Sequence, residues 1–353
     1  MLQSEIKNGF IELGKFLRQF SKNISLKSES VLNNDLFFND FLDLIQLSQS
    51  HNGWYTPENV FFSIESWANA LTKENLELWL SNYDFNISVN NKSVGIILAG
   101  NIPLVGFHDF LSVLISGHKV LVKTSSNDQK LLPFISKYLI SIDHNFKDYI
   151  SFVDGKLQNY DAIIATGSNN TARYFEYYFK DKPSIIRKSR NSVAVLNGSE
   201  SKEQMIALGE DIFKYFGLGC RNVSKLFVPR NYNFDQFFNG MFPYQDVIKY
   251  EKYANNYDYN KAVFLMSNFQ LLDNEFLTIK EDVSYASPIA SVFYEYYDDL
   301  KDLKERLLLE KDQIQCIVSN DLIENSIDFG LTQKPNLWDY ADDIDTLEFL
   351  ATI

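Results

Sequence analysis

A cysteine at position 220 has the surroundings of a nucleophile. Cys220 follows Gly217-Leu218-Gly219 at the end of an amphipathic helical pattern, and the apolar run Leu226 to Pro229 lies just beyond it. Glycines on one side let a substrate approach the backbone and leave a thiol accessible. Most cysteines are small buried hydrophobic residues, and that structural alternative applies to Cys220 taken alone. It applies more strongly to Cys316, which lies inside the apolar run IQCIVS.

Two glycine-containing turns have the composition of sites for an oxyanion or a phosphate. The first, GNIPLVG at 100–106, lies where an apolar run ends and a helical pattern begins, the position at which open parallel sheets bind ligands. The second, TGSNN at 166–170, has the same placement, and Gly167 and Ser168 would stand at a helix N-terminus, which attracts anions. Each turn alone is also consistent with ordinary turn and N-cap geometry.

His108 is the histidine nearest to these turns. It stands two residues after Gly106, where a role as acid or thiol base is one interpretation and a packing or capping role is the favoured one. The chain has four histidines and two cysteines without a CxxC or HExxH spacing. We therefore predict no metal site.

Composition limits the kind of partner. The chain has 353 residues and a net charge of −13, with 45% apolar, 22% charged and 15% aromatic residues. These proportions are typical of globular domains, whose cores the aromatic rings are expected to fill. The acidic balance argues against nucleic acid as a partner, because nucleic-acid binding needs Lys and Arg. No apolar run approaches the roughly 18 residues of a membrane span, and the N-terminal segment predicts an amphipathic helix and no signal peptide, so a cytoplasmic location is expected.

Apolar runs that alternate with helical patterns predict the fold. Helical periodicity covers Asn33 to Ser50 and Pro57 to Asn82, with Thr56 as a plausible N-cap. Beyond them, helical stretches alternate with short apolar runs typical of strands: SVGIILAG, HKVLVKTSS, ISFVDG, DAIIATG, NSVAVLNG, SKLFVP, IASVFYEY and IQCIVSN. This order predicts an α/β fold with mostly parallel sheets and helices on both faces.

Two interlocked α/β domains are expected from the length and the pattern. We place a cofactor-binding domain at residues 1–197, with a helical N-terminal part at 1–88. A catalytic domain with Cys220 and a C-terminal tail follows at 198–353, because the pattern begins again with a helix after NSVAVLNG.

Taken in order, these motifs resemble the aldehyde dehydrogenase superfamily, and most closely its LuxC-type acyl-CoA (fatty acyl) reductases. That family has an Asn-Pro loop after a buried strand, a Lys-Pro-Ser-Glu strand end, a Gly-Ser turn before a helix, and then the catalytic cysteine. Here the order is GNIPLVG at 100–106, KTSS at 123–126, TGSNN at 166–170 and GLGC at 217–220. The resemblance runs from about Ser93 to about Val228 and implies an aldehyde dehydrogenase-like fold.

The resemblance implies roles for particular residues. Cys220 resembles the nucleophile that takes the acyl group as a thioester, and Asn101 resembles the amide that forms the oxyanion hole with the Cys220 N–H. Lys123 resembles the lysine that holds the adenine-side ribose of the cofactor or its phosphate. Gly167 and Ser168 resemble the turn that supports the pyrophosphate.

Three departures from the family pattern refine the prediction. Aldehyde-oxidising members carry a Glu that activates water to hydrolyse the thioester, and Ile186 and Arg187 stand where it would fall. The Glu that NAD-preferring members place three residues after the lysine is Ser126 here, so nothing repels a 2′-phosphate, and we predict NADPH, with NADH as the alternative. The stretch that binds the nicotinamide ribose is replaced by SYASPI at 284–289, where only the Pro matches.

The predicted function is reduction of an acyl-CoA or acyl-carrier thioester to an aldehyde, through a Cys220 thioester and a hydride from NADPH. One alternative is an acyl-phosphate reductase of the glutamyl-phosphate type, which shares the cysteine and lacks the same Glu. A second is a non-catalytic nucleotide-binding relative, and a third is the reverse reaction, CoA-acylating aldehyde oxidation.

A homo-oligomer is also expected from the resemblance. Family members assemble through a strand and a tail exchanged between subunits. The C-terminal run DIDTLEFLATI alternates apolar and polar residues, so we expect it to supply such a contact.

Overall fold

In the computed structural model, which describes residues 1–83 and 91–353, the chain forms two compact units. The first consists of Met1–Lys188 and Asn336–Ile353, and the second of Ser189–Pro335. This division differs from the predicted one at 197/198 at two places. The run NSVAVLNG provides a strand to the second unit's sheet, and the last residues of the chain return to the first unit.

The regular elements are as follows. The helices are α1 Gln3–Leu17, α2 Asn34–His51, α3 Pro57–Ala70, α4 Lys73–Leu80, α5 Phe107–Ile115, α6 Leu131–Ile142, α7 Asn169–Tyr178, α8 Lys202–Phe213, α9 Phe234–Met241, α10 Glu251–Met266, α11 Leu300–Leu309 and α12 Thr346–Ala351. The strands are β1 Ser93–Ile97, β2 Lys119–Lys123, β3 Ile150–Phe152, β4 Ala162–Thr166, β5 Ser184–Arg187, β6 Asn191–Val195, β7 Val223–Pro229, β8 Leu271–Asp273, β9 Thr278–Glu281, β10 Ser291–Tyr297 and β11 Ile314–Val318.

A five-stranded parallel sheet forms the centre of the first unit. Its strand order is β3-β2-β1-β4-β5, so the first strand, β1, lies in the middle and the later strands are added on both sides of it. Val94 and Ile96 of β1 are fully buried, as expected for a strand covered on both faces. The loops after β1, β2 and β4 contain GNIPLVG, KTSS and TGSNN, so all three predicted turns lie at the carboxyl edge of one sheet. The predicted α/β architecture is confirmed.

The N-terminal helices of the first unit pack through aromatic rings. Phe16 of α1 stacks on Tyr138 of α6 with ring centroids 4.1 Å apart, and Phe10 meets Phe107 edge-on at 6.3 Å. Each fully buried ring of this kind stabilises the fold by about 2–3 kcal/mol through area burial. The aromatic richness of the chain thus fills this core, as the composition predicted.

The helical pattern predicted over Pro57 to Asn82 corresponds to two helices, α3 and α4. Thr56 caps the first one, its side chain accepting the N–H of Asn59 at 3.3 Å, as predicted. Leu71 then leaves the helical conformation, and Thr72 caps α4 by accepting the N–H of Asn75 at 3.1 Å. A second capping threonine inside one apolar pattern ends and restarts the helix.

A six-stranded sheet forms the centre of the second unit. Its order is β11-β6-β7-β10-β9-β8, and every pair is parallel except β8 with β9. β7 begins three residues after Cys220, so the cysteine precedes the amino edge of this sheet. Among the helices of the two described stretches, none is long and apolar enough to cross a membrane.

The C-terminal segment corrects a prediction made from its alternating pattern. Thr346–Ala351 forms a helix, α12, which packs on α5 of its own unit and does not form an extended strand. Leu347 and Leu350 are fully buried, and their spacing of three is the helical spacing. The segment packs within the first unit of a single chain, and its contact between subunits stays a prediction.

His118 is held as a neutral imidazole by its two neighbours. Its Nε2 lies 2.9 Å from the carbonyl oxygen of Leu350 and must donate, while its Nδ1 accepts the N–H of Lys92 at 3.2 Å. A second proton, on Nδ1, would point at the Lys92 N–H, and two donors cannot form a hydrogen bond with each other. Burial also lowers the pKa of His118, and burial lowers the pKa of His108 in the same unit.

We expect the stability of this unit to fall as the pH is lowered below about 6.5, the pKa of an unfolded histidine. As the pH falls, the histidine of the unfolded chain takes up its proton before the buried His118 does. The contribution of His118 to the free energy of unfolding is therefore complete above that pH and is lost as the pH falls toward the lowered pKa. Urea unfolding at pH 7.5 and 5.5 measures this loss of unfolding free energy. His118→Gln should reduce the loss, whereas His144→Gln, at an exposed histidine, should leave it unchanged; equal losses in all three proteins would contradict the prediction.

Candidate active site

Three consecutive residues with left-handed backbone conformations lead into the cysteine turn. Tyr215, Phe216 and Gly217 have φ angles of 53°, 59° and 75°. For the two aromatic residues this conformation costs on the order of 1–2 kcal/mol each. Both side chains are buried, at 5% and 6% exposure, which offsets the strain. The backbone before Cys220 is therefore held in one unusual path by packing.

Asn222 fastens the turn after the cysteine. Its Nδ2 donates to the carbonyls of Asp211 and Lys214, both at 2.9 Å, which ties it to the end of α8. Its Oδ1 accepts the N–H of Gly219 at 2.8 Å, and its own N–H donates to the Gly219 carbonyl at 3.0 Å. Asn222 thus closes a hydrogen-bonded ring around Cys220.

Cys220 itself is exposed, and its backbone is fixed from the neighbouring strand. Ser192 of β6 donates its hydroxyl hydrogen bond to the Cys220 carbonyl at 2.9 Å. The Ser192 Oγ also lies 3.0 Å from the sulfur of the half-buried Cys316. Arg221, the residue after Cys220, directs its Nε to the Thr332 carbonyl at 2.6 Å.

The Asn101 loop is anchored by the helical part of the first unit. Tyr55 donates its hydroxyl to the carbonyl of Ile102 at 2.9 Å, and Ser63 donates to the carbonyl of Pro103 at 2.9 Å. Asp128 accepts the N–H of Leu104 at 3.4 Å, and burial raises the pKa of this carboxyl. Three side chains from elsewhere therefore fix the path of the loop that carries Asn101.

Two glycines of the same loop are required by space. A Cβ at Gly106 would lie 2.3 Å from a methyl carbon of Leu98, and one at Gly100 would lie 2.6 Å from the Ser125 hydroxyl. These distances are shorter than any carbon contact tolerates. Gly100 and Gly106 of GNIPLVG thus allow the close packing of the loop.

The predicted cofactor residues lie at one edge of the first unit's sheet. Lys123 ends β2 half-buried, and Ser126 is exposed three residues later. Ser168 is the N-cap of α7, its hydroxyl accepting the N–H of Thr171 at 3.3 Å, and a Cβ at Gly167 would lie 3.0 Å from Thr171. The structure therefore brings these four residues and Asn101 to adjacent loops of the first unit, whereas Cys220 belongs to the second.

Arg187, at the position where the resemblance expects a catalytic Glu, is committed to a buried ion pair. Its Nη1 lies 2.6 Å from a carboxylate oxygen of Asp109, and its Nη2 donates to the Thr346 hydroxyl at 2.9 Å. Arg187 and Asp109 side chains are exposed by only 7% and 6%. Asp109 was not among the predicted residues, although an acidic residue inside the apolar helix FHDFLSVLI indicates such a pair.

His108 packs inside the first unit. Its Nε2 lies 2.8 Å from the carbonyl of Leu337, and its ring lies 5.4 Å from that of Trp79 and 5.6 Å from that of Tyr340. Burial lowers its pKa. These contacts agree with the packing role that the sequence favoured.

A pocket opens beside the cysteine turn in the second unit. It is a small cleft of about 20 Å³, room for about one water molecule, and its walls include Phe216 and Gly217 of the turn and Ser287, Pro288 and Ile289. The last three belong to SYASPI, the stretch that departs most from the family pattern. Among the described residues, those lining the pocket include no charged side chain. The hydroxyl of Ser287 is engaged by the Ser291 carbonyl at 2.7 Å, and that of Ser224 by the Tyr285 carbonyl at 2.7 Å.

Solved structures with the same fold are aldehyde dehydrogenases. The indole-3-acetaldehyde dehydrogenase AldA of P. syringae has a TM-score of 0.62 and 12% identity, covering 90% of this chain and 72% of that one. Aldehyde dehydrogenase 21 of Physcomitrella patens has a TM-score of 0.63 and 13% identity, covering 90% and 73%. An acetylating aldehyde dehydrogenase of Geobacillus thermoglucosidasius has a TM-score of 0.61 and 11% identity, covering 92% and 77%. The fold is therefore that of the aldehyde dehydrogenase superfamily.

The family comparison is more specific. A family model described as acyl-CoA reductase (LuxC) matches residues 74–236, which include both the Asn101 loop and Cys220. Residues 74–236 therefore resemble the LuxC type of acyl-CoA reductase, and the resemblance predicted from the sequence motifs is confirmed. Family and fold together support an oxidoreductase that acts on aldehydes or acyl groups. No curated protein sequence matches the chain.

Proposed function

We propose that this protein reduces an acyl thioester, carried by CoA or by an acyl carrier, to an aldehyde through a covalent Cys220 thioester and a hydride from NADPH. The observation that carries the proposal is the exposed thiol of Cys220 on a turn held by Asn222 and Ser192. A buried structural cysteine needs neither exposure nor a backbone fixed on both sides.

The first chemical step is thiol exchange. The deprotonated sulfur of Cys220 attacks the acyl carbonyl carbon, a carbon–sulfur bond to Cys220 forms, and the bond to the carrier sulfur breaks. The carrier leaves as a thiol after taking up a proton. Asn101 supplies its side-chain amide to the developing oxyanion in this proposal, the role that the resemblance implies.

The fate of the enzyme thioester depends on what replaces the family's catalytic Glu. A carboxylate base at that position would activate water, and hydrolysis would release an acid. Arg187 stands there, and its guanidinium is turned to Asp109 and Thr346 inside the protein. A thioester protected from hydrolysis in this way persists until it is reduced.

The residues at the carboxyl edge of the first sheet fit a dinucleotide. Loops after β1, β2 and β4 meet there, Gly167 keeps the backbone turn free of a side chain, and α7 begins at the same turn. Lys123 would hold the adenine-side ribose or its phosphate, Ser126 would leave room for a 2′-phosphate, and Gly167 with Ser168 would support the pyrophosphate. The cofactor supplies a hydride when bound. The AldA structure of P. syringae contains NAD⁺, which supports a pyridine nucleotide for this fold.

Ser126→Glu is expected to reverse the cofactor preference. A carboxylate at this exposed position would repel a 2′-phosphate and bind ribose hydroxyls, so kcat/KM for NADPH relative to NADH should fall by at least about tenfold. Steady-state rates with both nucleotides measure the ratio. Ser126→Gln, similar in size but uncharged, should keep the ratio close to that of the wild type. An equal change in the two variants would contradict the electrostatic explanation.

The side chains packed beside the cysteine turn favour an uncharged acyl group over the small acidic substrate of the glutamyl-phosphate alternative. They include no charged group among the described residues of the cleft, and the hydroxyls of Ser224 and Ser287 are already bonded to backbone carbonyls. A carboxylate placed there would lose its hydration without gaining a charged partner.

A substrate panel tests the proposed function. Nucleotide oxidation would be followed with acyl-CoAs of increasing chain length, with an acyl-carrier thioester and with an acidic acyl phosphate, each with NADPH and NADH. We expect turnover with thioesters of unbranched apolar acyl groups. Turnover with the acyl phosphate alone would establish the alternative, and no turnover with any donor would refute both.

A further inference from the structure

A buried carboxylate lies behind the cysteine turn without a part in the proposed chemistry. Asp211, in the last turn of α8, is fully buried. Its Oδ2 accepts the N–H of Gly330 at 2.7 Å, and its Oδ1 accepts the N–H and the hydroxyl of Thr332 at 3.0 and 2.8 Å. The carboxylate therefore organises the turn at 330–332, which is more than a hundred residues away in the sequence.

The 330–332 turn reaches the cysteine turn through one strong contact. The Thr332 carbonyl accepts the Nε of Arg221, the residue after Cys220, at 2.6 Å. The backbone carbonyl of Asp211 accepts the Nδ2 of Asn222, the next residue, at 2.9 Å. Asp211 is thus connected to both residues that follow Cys220, once through its side chain and Thr332, and once through its own backbone.

We propose that Asp211 is a positioning residue that fixes the Cys220 turn through the 330–332 turn and Arg221. The expected effect on catalysis rests on the proposed function, whereas the positioning of the Cys220 turn does not. Asp211 touches no reacting atom in this arrangement. Its effect is on where the thiol and backbone N–H of Cys220 lie.

The surroundings of Asp211 support a role other than filling space. Burial raises the pKa of the carboxyl to about 6, although three donors to its two oxygens lower it. An apolar side chain would fill the same space without that desolvation, so the carboxylate is costly unless the turn needs its acceptors. The turn also needs glycine at position 330, because its φ is 83° and a Cβ there would lie 3.2 Å from that of Ala207.

Asp211→Asn tests the proposal. The amide keeps one acceptor for Thr332 but presents N–H groups to the Gly330 N–H, so the 330–332 turn must shift. We expect kcat with an acyl-CoA to fall about 10- to 100-fold, because small displacements of a catalytic group have effects of this size. KM should stay within about threefold, since the variant leaves the substrate surface unchanged.

Thr332→Val and Thr332→Ser form the matched pair. Valine removes the hydroxyl donor to Asp211 at almost constant volume and should show part of the kcat loss, whereas serine keeps the donor and should retain wild-type kcat. If Thr332 transmits the effect, the Asp211→Asn/Thr332→Val double variant should lose less than the product of the two single losses. Unchanged kcat in Asp211→Asn, or multiplicative losses, would overturn the proposal.

Hydrogen exchange separates this inference from the proposed function. In Asp211→Asn the amides of Gly219 and Asn222, which donate within the cysteine turn, should exchange about fivefold faster or more, the factor expected for a weakened hydrogen bond. The amides of β6 and β7 should keep their rates. Faster exchange throughout the second unit would indicate general destabilisation and overturn the positioning role. The measurement needs no turnover, so it remains decisive even if no acyl donor is reduced.

Discussion

Cys220→Ser is expected to lower acyl-CoA-dependent NADPH oxidation by about 10⁴-fold or more, the scale on which enzymes lose rate when a covalent nucleophile is removed. The serine hydroxyl has nearly the same shape, so the turn held by Asn222 and Ser192 should persist. A serine hydroxyl is a much weaker nucleophile than a cysteine thiol at neutral pH, because it ionises far less readily. The variant therefore isolates the chemistry of the sulfur from its position.

A second measurement detects the covalent intermediate directly. With acyl-CoA and no nucleotide, the wild-type protein should gain the mass of one acyl group on Cys220, and the serine variant should gain none. Cys316→Ser is the matched control, since its oxygen can keep the contact that Cys316 makes with Ser192, and its rate should stay within about threefold of the wild type. Acylation at Cys316, or full activity of Cys220→Ser, would refute the mechanism.

The second large effect is expected in stability and concerns the buried ion pair of the first unit. Arg187→Met should lower the free energy of unfolding by about 3–5 kcal/mol, because Asp109 would be left as a buried charge without its guanidinium partner. Urea unfolding, followed by a probe in the first unit, measures the change. The Thr346 hydroxyl would lose the same donor.

The double variant Arg187→Met/Asp109→Leu provides the control. Removing both charges eliminates the stranded carboxylate, so the double variant should be more stable than Arg187→Met alone. Thr346→Val, which removes only the neutral partner, should cost about 1 kcal/mol. The opposite result is a double variant that loses at least as much unfolding free energy as the single variants Arg187→Met and Asp109→Leu lose together. That result would show that the pair contributes by packing and not by charge compensation.

The sequence predicted the elements whose signal is local. β1, β4 and β7 are short apolar runs because both of their faces are largely buried, whereas β2 is buried mainly on one face. The turns after β1, β2 and β4 are recognisable because strand ends and helix starts have characteristic residues. Asn101, Lys123 and Ser168 could therefore be assigned to one sheet edge. The resemblance to the LuxC family depended on the order of these local motifs, which explains why it was confirmed.

The parts that sequence reasoning missed depend on contacts between distant residues. β5, β8 and β9 are short strands of three or four residues, and they are specified by their neighbours in the sheets. The alternation in DIDTLEFLATI suggested an extended tail, but burial of Leu347 and Leu350 against α5 decided for a helix. Tertiary packing overrides a short local pattern in such cases.

The candidate site shows the same limit. Cys220 could be singled out from its glycines, yet nothing near it in the sequence indicates Thr332 or Ser192, and Asp211 lies in an ordinary helical stretch. Ser192 and Thr332 each reach the cysteine turn through one hydrogen bond, across 28 and 111 residues of chain. A periodic pattern cannot encode such pairs, so the nucleophile was predictable and its support was not.

The return of residues 336–353 to the first unit has a consequence for the order in which the protein is made. Arg187, His108 and His118 find partners at Thr346, Leu337 and Leu350, which are synthesised after the whole of the second unit. During translation the second unit can complete its sheet while Nη2 of Arg187 and the Nε2 atoms of His108 and His118 still await these partners. The unit that begins the chain is thus the last to reach its final stability, and a ribosome stalled before residue 336 would present it in an unfinished state.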